Sequence, residues 1–204
     1  MGDFIVTFPV WAALRRAFPN TELGGLVSAD RGELGNYFGF FEHYRCLDDL
    51  EWASFFVPAG ELDERAVEWL SGFDAIISYL HDPDGVWEDN IKRVWRGEWI
   101  SGSGSPPDNE NRSISKKLLE PLKAWGIAGA NSEPCLTLPN QADSLYALGA
   151  HPGSGSRAKN WPETCWEQFL QHSLVIEHGG ILLIAGEAEQ DRLGWMESVV
   201  GDQG

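Results

Sequence analysis

Residues 151–162 read His-Pro-Gly-Ser-Gly-Ser-Arg-Ala-Lys-Asn-Trp-Pro, and this stretch decides the fold. An apolar run precedes it at 144–150, and an amphipathic pattern follows it at 162–174. This order predicts a strand, a Gly/Ser-rich loop and a helix. Such a loop presents backbone N–H groups and the positive end of the helix to an anion. Two interpretations stay open: a phosphate-binding loop, or an ordinary solvated turn, in which Gly and Ser are also common.

The side chains of this loop favour the phosphate interpretation. Ser154 and Ser156 carry hydroxyl donors, and Lys159 carries an ammonium group. Arg157 and Lys159 together form a local basic cluster in a strongly acidic chain. Such a cluster is needed to bind an anionic small molecule against the overall negative field of the protein.

Composition limits the function classes. The 204 residues carry a formal net charge of −16, which argues against nucleic acid as a partner, because its backbone requires a basic surface. The three cysteines are far apart and lack ligand spacing, so no zinc site and a reducing compartment are expected. No apolar run reaches membrane-spanning length, and no signal peptide is visible. We therefore expect a cytoplasmic protein.

Strand and helix patterns alternate along the chain. An apolar run at 74–80 predicts a buried parallel strand, and 86–96 predicts the helix that follows it. Asp82 and Asp84 lie in the turn between them, where capping of the helix is favoured over contact with a substrate. The stretch 134–143 is typical of an extended connection. The pattern predicts an α/β protein with domains at 1–139 and 140–204.

Three stretches in this order resemble glycosyltransferase family 9, the ADP-heptose:lipopolysaccharide heptosyltransferases and their relatives. The first is Gly-Asp-Phe-Ile-Val-Thr-Phe-Pro at 2–9, followed by a helical pattern. The second is the loop at 151–162. The third is Gly-Ile-Leu-Leu-Ile-Ala-Gly-Glu-Ala-Glu at 180–189. The resemblance covers most of the chain, with 30–140 as its looser part.

The resemblance implies a GT-B fold, in which two Rossmann-like domains face each other and the C-terminal one binds most of the donor. It implies inverting, metal-independent transfer of a sugar, with no cofactor, from a nucleotide sugar such as ADP-heptose. The acceptor would be the lipopolysaccharide core or a similar glycan, free or lipid-linked. A lipid-linked acceptor implies transient contact with the inner membrane.

The resemblance also assigns roles to residues. Asp3 matches the catalytic aspartate and would take the proton of the acceptor hydroxyl. The loop from Gly153 to Ser156, with Ser154 and Gly155 between them, would hold the phosphates, and Lys159 would neutralise the leaving group. Glu189 would accept hydrogen bonds from the ribose or base. The structural alternatives are a helix-start carboxylate for Asp3, a surface lysine for Lys159 and an exposed first-turn glutamate for Glu189, with Glu187 competing for its role.

The chain also departs from the family pattern. The family has a strand before the Gly-Asp motif, and a later Asp-Ser-Gly-Pro…His segment, which this sequence lacks. We therefore expect a fragment or truncated member, with the first N-terminal strand missing, an open slot in the sheet and an incomplete C-terminal domain. Two other functions stay open: an inactive nucleotide-binding or interaction domain derived from such an enzyme, and a different GT-B-like enzyme such as a nucleotide-sugar epimerase.

Overall fold

The computed structural model describes residues 2–102, 113–136, 146–154, 156–170, 180–186, 189, 194–195 and 198. The chain divides into a first unit, Met1–Pro139, and a second unit, Asn140–Gly204. The helices of the described residues are α1 (Gly2–Ile5), α2 (Phe8–Ala17), α3 (Ala29–Tyr37), α4 (Leu50–Ala53), α5 (Glu64–Ser71), α6 (Val86–Val94), α7 (Ile114–Leu119) and α8 (Glu163–Leu170). Short 3₁₀ segments span Ser54–Phe56, Glu120–Trp125 and Arg157–Lys159.

The described strands form three parallel pairs, each joined by a helix. The strands are β1 (Gly24–Val27), β2 (His43–Cys46), β3 (Ala75–Ser78), β4 (Glu98–Ser101), β5 (Tyr146–Ala150) and β6 (Gly180–Leu183). β1 pairs with β2 across α3, β3 with β4 across α6, and β5 with β6 across α8. A parallel pair needs such a crossover, so the α/β class predicted from the sequence is confirmed.

Aromatic side chains dominate the core of the first unit. Trp52 and Phe55 are fully buried against α5 and α6, in a cluster that also contains Leu70 and Ile91. Ring pairs such as Trp52–Trp69, with centroids 5.6 Å apart, pack edge to face. A second cluster packs α2 against α7, through residues such as Leu14 and Leu122. β1 and β3 lie between these two clusters.

Several predicted elements appear close to their expected bounds, and the differences have local causes. The pattern at 115–125 predicts a helix with a break at Pro121. In the structure, α7 changes into a 3₁₀ segment at Glu120, directly before Pro121, because proline cannot continue the α-helical hydrogen bonds. The strand at 74–80 is present as β3, but the prediction that it is buried on both faces is wrong. Ala75 is exposed and the other three residues are only half-buried.

Three elements, β2, β4 and α3, are not predicted by the sequence pattern. The segments His43–Cys46 and Glu98–Ser101 mix charged and aromatic residues within four positions, too few for a clear alternation. α3 contains two glycines, Gly32 and Gly35, that weaken its helical pattern. Both glycines are required by packing, because a Cβ at either position would meet the ring of Tyr44 or Phe41 within 2.5 Å.

Candidate functional site

The loop after β5 contains one short 3₁₀ turn, and a second turn forms the start of α8. The first is the 3₁₀ segment Arg157–Lys159, in which the Lys159 N–H donates to the carbonyl of Ser156 at 3.0 Å. The second starts α8, where the Cys165 N–H donates to the carbonyl of Pro162 at 3.0 Å. Proline suits a helix start because its fixed φ is already helical and its missing N–H would have no partner there. We call residues 151–162 the α8 loop.

The Ser154 hydroxyl stabilises the α8 loop through hydrogen bonds to other residues of the same loop. Its Oγ lies 2.7 Å from Asn160 Oδ1 and 2.9 Å from the carbonyl oxygen of Ser156. It also accepts the N–H of Ser156 at 3.3 Å. A hydroxyl has one proton, so it donates to one of the two oxygens at a time. Ser154 therefore shapes the loop, and Ser156, which is half-buried, has its N–H directed toward Ser154.

Glu189 lies beneath the other end of the α8 loop. Its side chain is 3% exposed, and its Oε2 accepts the Gly186 N–H at 2.8 Å and lies 3.3 Å from Nε2 of His151. A Cβ on Gly153 would stand 1.8 Å from Glu189 Oε1, so a larger residue where the loop crosses this carboxylate would require the loop or the carboxylate to move. The structural alternative for Glu189 predicted an exposed residue in the first turn of a helix. The prediction of exposure is wrong, because Glu189 is buried.

The two ends of the α8 loop differ in charge. Glu189 makes the Gly153 end acidic, whereas Lys159 is exposed at the other end, next to the start of α8. Within the described part of the chain, no hydrogen bond or ion pair engages the Lys159 ammonium. The Lys159 ammonium group and the start of α8 favour negative charge at the Lys159 end, where Glu163 of the first turn opposes it, and the Glu189 carboxylate disfavours negative charge at the Gly153 end.

An aromatic face flanks the Lys159 end and was not predicted from the sequence. The Trp161 ring is 51% exposed and packs edge to face on Trp166, with centroids 5.4 Å apart. Phe169 completes the group, 6.2 Å from Trp161. The sequence does contain a signal for this aromatic face: Trp166 and Phe169 are three positions apart, a spacing that places two side chains on the same face of a helix. Trp161 thus packs against this aromatic group while about half of its surface stays exposed.

The remaining predicted site residues lie in different places. Asp3 belongs to α1 in the first unit, and its side chain lies outside the described residues, as does Gly155 of the α8 loop. Asp82 caps α6, because its carboxylate accepts the N–H groups of Trp87 at 3.2 Å and Glu88 at 3.0 Å. The capping role favoured from the sequence is thus the one that Asp82 performs.

The described residues contain neither a cluster of metal ligands nor a helix that could span a membrane. No three His, Cys, Asp or Glu side chains among them are grouped in a way that would hold a metal ion. No helix within the described ranges combines the length and apolar character needed to cross a bilayer.

Solved structures similar to this chain are glycosyltransferases. The glycosyl transferase family 9 protein of Veillonella parvula DSM 2008 matches with a TM-score of 0.70 and 14% identity, over 98% of this chain and 63% of that protein. E. coli heptosyltransferase WaaC with ADP-2-deoxy-2-fluoro heptose matches with a TM-score of 0.67 and 15% identity, over 98% and 71%. The same enzyme with ADP has a TM-score of 0.63 and 15% identity, over 98% and 70%.

No protein-family model matches the sequence, and no curated protein does. The chain spans a little under two thirds of the length of the V. parvula protein. At such low identity the likeness is one of fold, and it agrees with the resemblance that the three sequence stretches indicated. The chain has the GT-B-like α/β fold of the family 9 glycosyltransferases, the heptosyltransferases included.

Proposed function

We propose that this chain is the nucleotide-sugar-binding and acceptor-binding part of an inverting glycosyltransferase. The observation that carries the proposal is the α8 loop, with its exposed Lys159 and its glycine crossing at Gly153, in a fold shared with a heptosyltransferase solved with ADP. The proposed domains are 1–139 for the acceptor and 140–204 for the donor.

The charge difference along the α8 loop supports a direction for the donor. The diphosphate would lie at the Lys159 end, where the ammonium group, the loop amides and the start of α8 stabilise negative charge. The ribose or base, which carries hydrogen-bond donors, would lie toward Glu189 and Gly153. Glu189 already accepts the Gly186 N–H, so its carboxylate is held in a set position beneath the loop.

Inverting transfer needs one base and one stabilised leaving group. Asp3 is proposed to accept the proton of the attacking acceptor hydroxyl as the new glycosidic bond forms and the bond to the diphosphate breaks. Lys159 and the loop amides would neutralise the departing ADP, which makes a metal ion unnecessary in this scheme. The Trp161 face offers a stacking surface beside the same end of the loop.

We propose ADP-heptose as donor and the lipopolysaccharide core or a similar glycan, free or lipid-linked, as acceptor. These assignments rest on the resemblance and on the ligands named for the E. coli enzyme. We further propose that the reaction takes place in the cytoplasm, with transient contact at the inner membrane when the acceptor is lipid-linked.

The test is transfer from ADP-heptose to a lipopolysaccharide-core acceptor by the chain and by Asp3→Asn. Asp3→Asn should lower kcat about 10²- to 10⁴-fold, because general-base catalysis contributes that much, while ADP binding measured by calorimetry stays unchanged. Asp82→Asn is the matched control, since Asp82 is a capping carboxylate of the same unit. Equal turnover in Asp3→Asn and the original chain would remove Asp3 from the mechanism, and absence of ADP binding would overturn the function.

A further inference from the structure

The segment 50–57, which contains α4 and the 3₁₀ segment after it, has its polar and apolar faces inverted. Its inner face buries the carboxylate of Glu51, which is 5% exposed, beside the fully buried Trp52. Its outer face presents Leu50, which is 90% exposed. Surface helices ordinarily bury apolar side chains and expose charged ones, so the outer face of this segment has the composition of an interface.

The exposed apolar side chains of this segment follow a helical spacing. Leu50, Ala53 and Val57 are three and four positions apart, which places them along one side of the two turns. Val57 is 53% exposed, and Phe56 beside it is 47% exposed. We call Leu50, Ala53, Phe56 and Val57 the apolar stripe. The exposed Ala53 lies at its middle, where a side chain of one methyl group lets a second helical segment approach closely.

Side chains of α6 hold the backbone at the end of the apolar stripe. Asn90, which is 2% exposed, donates to the carbonyl of Val57 at 3.0 Å. Arg93 Nη1 donates to the carbonyl of Gly60 at 3.1 Å. Between these two points Ala59 has a φ of 53°, a left-handed conformation that is unfavourable for a residue with a Cβ. Such strain persists only where surrounding contacts hold it, so a fixed backbone presents the stripe to solvent.

The two ends of the apolar stripe carry opposite charges. Asp49 directly precedes Leu50, and its side chain makes no capping hydrogen bond to α4. Arg93 lies at the Gly60 end and, within the part of the chain that the structure describes, forms no ion pair with a carboxylate. Glu61 follows Gly60 and opposes the positive charge of that end. An antiparallel copy of the stripe would bring each Asp49 to the Arg93 end of the other copy.

We propose that the apolar stripe is the interface of a homodimer, packed antiparallel on the same stripe of a second copy about a two-fold axis near Ala53. A two-fold interface requires a surface that complements itself, and here Leu50 would face Val57 of the second copy while the two Ala53 methyl groups meet. The stripe is smaller than a standard interface, so we expect a dissociation constant of about 10–100 μM. Asp48 and Asp49 beside the stripe would repel an anionic bilayer, which disfavours a membrane as the occupant.

The test is sedimentation equilibrium of the 204-residue chain from about 5 to 500 μM in about 0.15 M NaCl, which screens the repulsion between the two acidic copies. The average mass should rise from that of one copy toward that of two. Ala53→Glu should raise the dissociation constant about tenfold or more, because it sets two carboxylates against each other at the axis. Ala12→Glu is the matched control, since Ala12 is an exposed position of α2, and it should dimerise like the original chain. Urea denaturation of both variants checks that each remains folded.

Two further variants test the antiparallel arrangement. Asp49→Asn should weaken the dimer several-fold and Glu61→Gln should strengthen it, because the first removes a charge that favours the contact with Arg93 and the second removes one that opposes it. The mass of a single copy at every concentration overturns the proposal, as does a dimer that Ala53→Glu leaves unchanged. Sedimentation of the chain with phosphatidylcholine vesicles, lost in Ala53→Glu and without self-association, overturns it in favour of a membrane. No nucleotide enters these measurements, so the proposed transferase function is tested separately.

Discussion

The turn between β3 and α6 and the loop between β5 and α8 each join a parallel strand to a helix, and they differ in how charge is placed at the helix N-terminus. The α6 turn, residues 79–85, supplies its own anion, because the Asp82 carboxylate accepts two first-turn N–H groups of α6. The α8 loop contains no Asp or Glu and has Arg157 and Lys159 before its helix. The first helix end is capped by a carboxylate from its own turn, whereas the second has a carboxylate only within the helix, at Glu163, and two basic residues in the loop before it. Equivalent topology therefore gives a structural cap in one unit and a candidate ligand site in the other.

The largest expected effect on stability is that of Gly153→Ala, which adds a methyl group where the α8 loop passes over Glu189. The added methyl group would stand 1.8 Å from Glu189 Oε1, so loop or carboxylate must move. We expect the free energy of unfolding to fall by about 1–3 kcal/mol, measured by urea denaturation. Gly149→Ala is the control, because a Cβ there meets nothing within 4 Å. Equal losses in the two variants would contradict the crossing.

Lys159→Ala tests whether the positive charge of the α8 loop contributes to nucleotide binding. Loss of the ammonium group should weaken ADP binding about tenfold or more, since hydrogen bonds to charged groups contribute about 1.5–3 kcal/mol. Lys159 is exposed, so the unfolding midpoint should barely change. Calorimetric titration with ADP makes the measurement, and Lys159→Arg should retain most of the affinity. Unchanged affinity in Lys159→Ala would show that the α8 loop is an ordinary turn.

Asp82→Ala tests the capping role of the carboxylate in the α6 turn. Removing the cap should cost about 1 kcal/mol of unfolding free energy, because two first-turn N–H groups of α6 lose their acceptor. ADP affinity should not change. Asp84→Ala is the control in the same turn, where the side chain is exposed and makes no hydrogen bond to a described residue. Equal destabilisation by both changes would mean that turn charge, and not capping, matters.

The smallest expected effect concerns acid sensitivity, again through a carboxylate that satisfies the protein's own N–H group. Glu42 contacts Arg15 at 2.8 Å and accepts the Leu23 N–H at 2.8 Å, and these contacts lower its pKa. Because the folded pKa lies below the unfolded one, the stabilisation is present above the unfolded pKa, near 4.5, and is lost as pH falls through the folded pKa. The carboxylate is half-exposed, so the contribution should be about 0.5 kcal/mol.

The measurement for Glu42 is the unfolding free energy of the chain and of Glu42→Gln between pH 7 and pH 3. Glu42→Gln should be less stable at pH 7 and should lose less stability on acidification, so the two curves converge. Parallel curves over this range would show that the contacts of Glu42 do not couple to its protonation.

Local signals in the sequence were sufficient to predict the strand, the loop and the helix that contain most residues of the proposed nucleotide site. The Gly/Ser run at 151–162 between an apolar run and an amphipathic pattern predicts β5, the loop and α8, and all three are present. The break at Pro121 and the cap at Asp82 follow from the chemistry of single residues, which acts within a few positions of the chain. The resemblance to family 9 rested on the same kind of short stretch, and the shared fold agrees with it.

Contacts between distant residues decided the rest. Nothing near Glu189 in the sequence indicates that its carboxylate is buried beneath Gly153, since 36 positions separate them and only folding brings them together. The short strands β2 and β4 exist because they pair with β1 and β3, and their own residues carry little strand pattern. The sequence by itself determined the local turns and the α/β class, because those depend on neighbouring residues. The buried carboxylate and the pairing of the short strands depend on packing between distant segments, which only the tertiary structure decides.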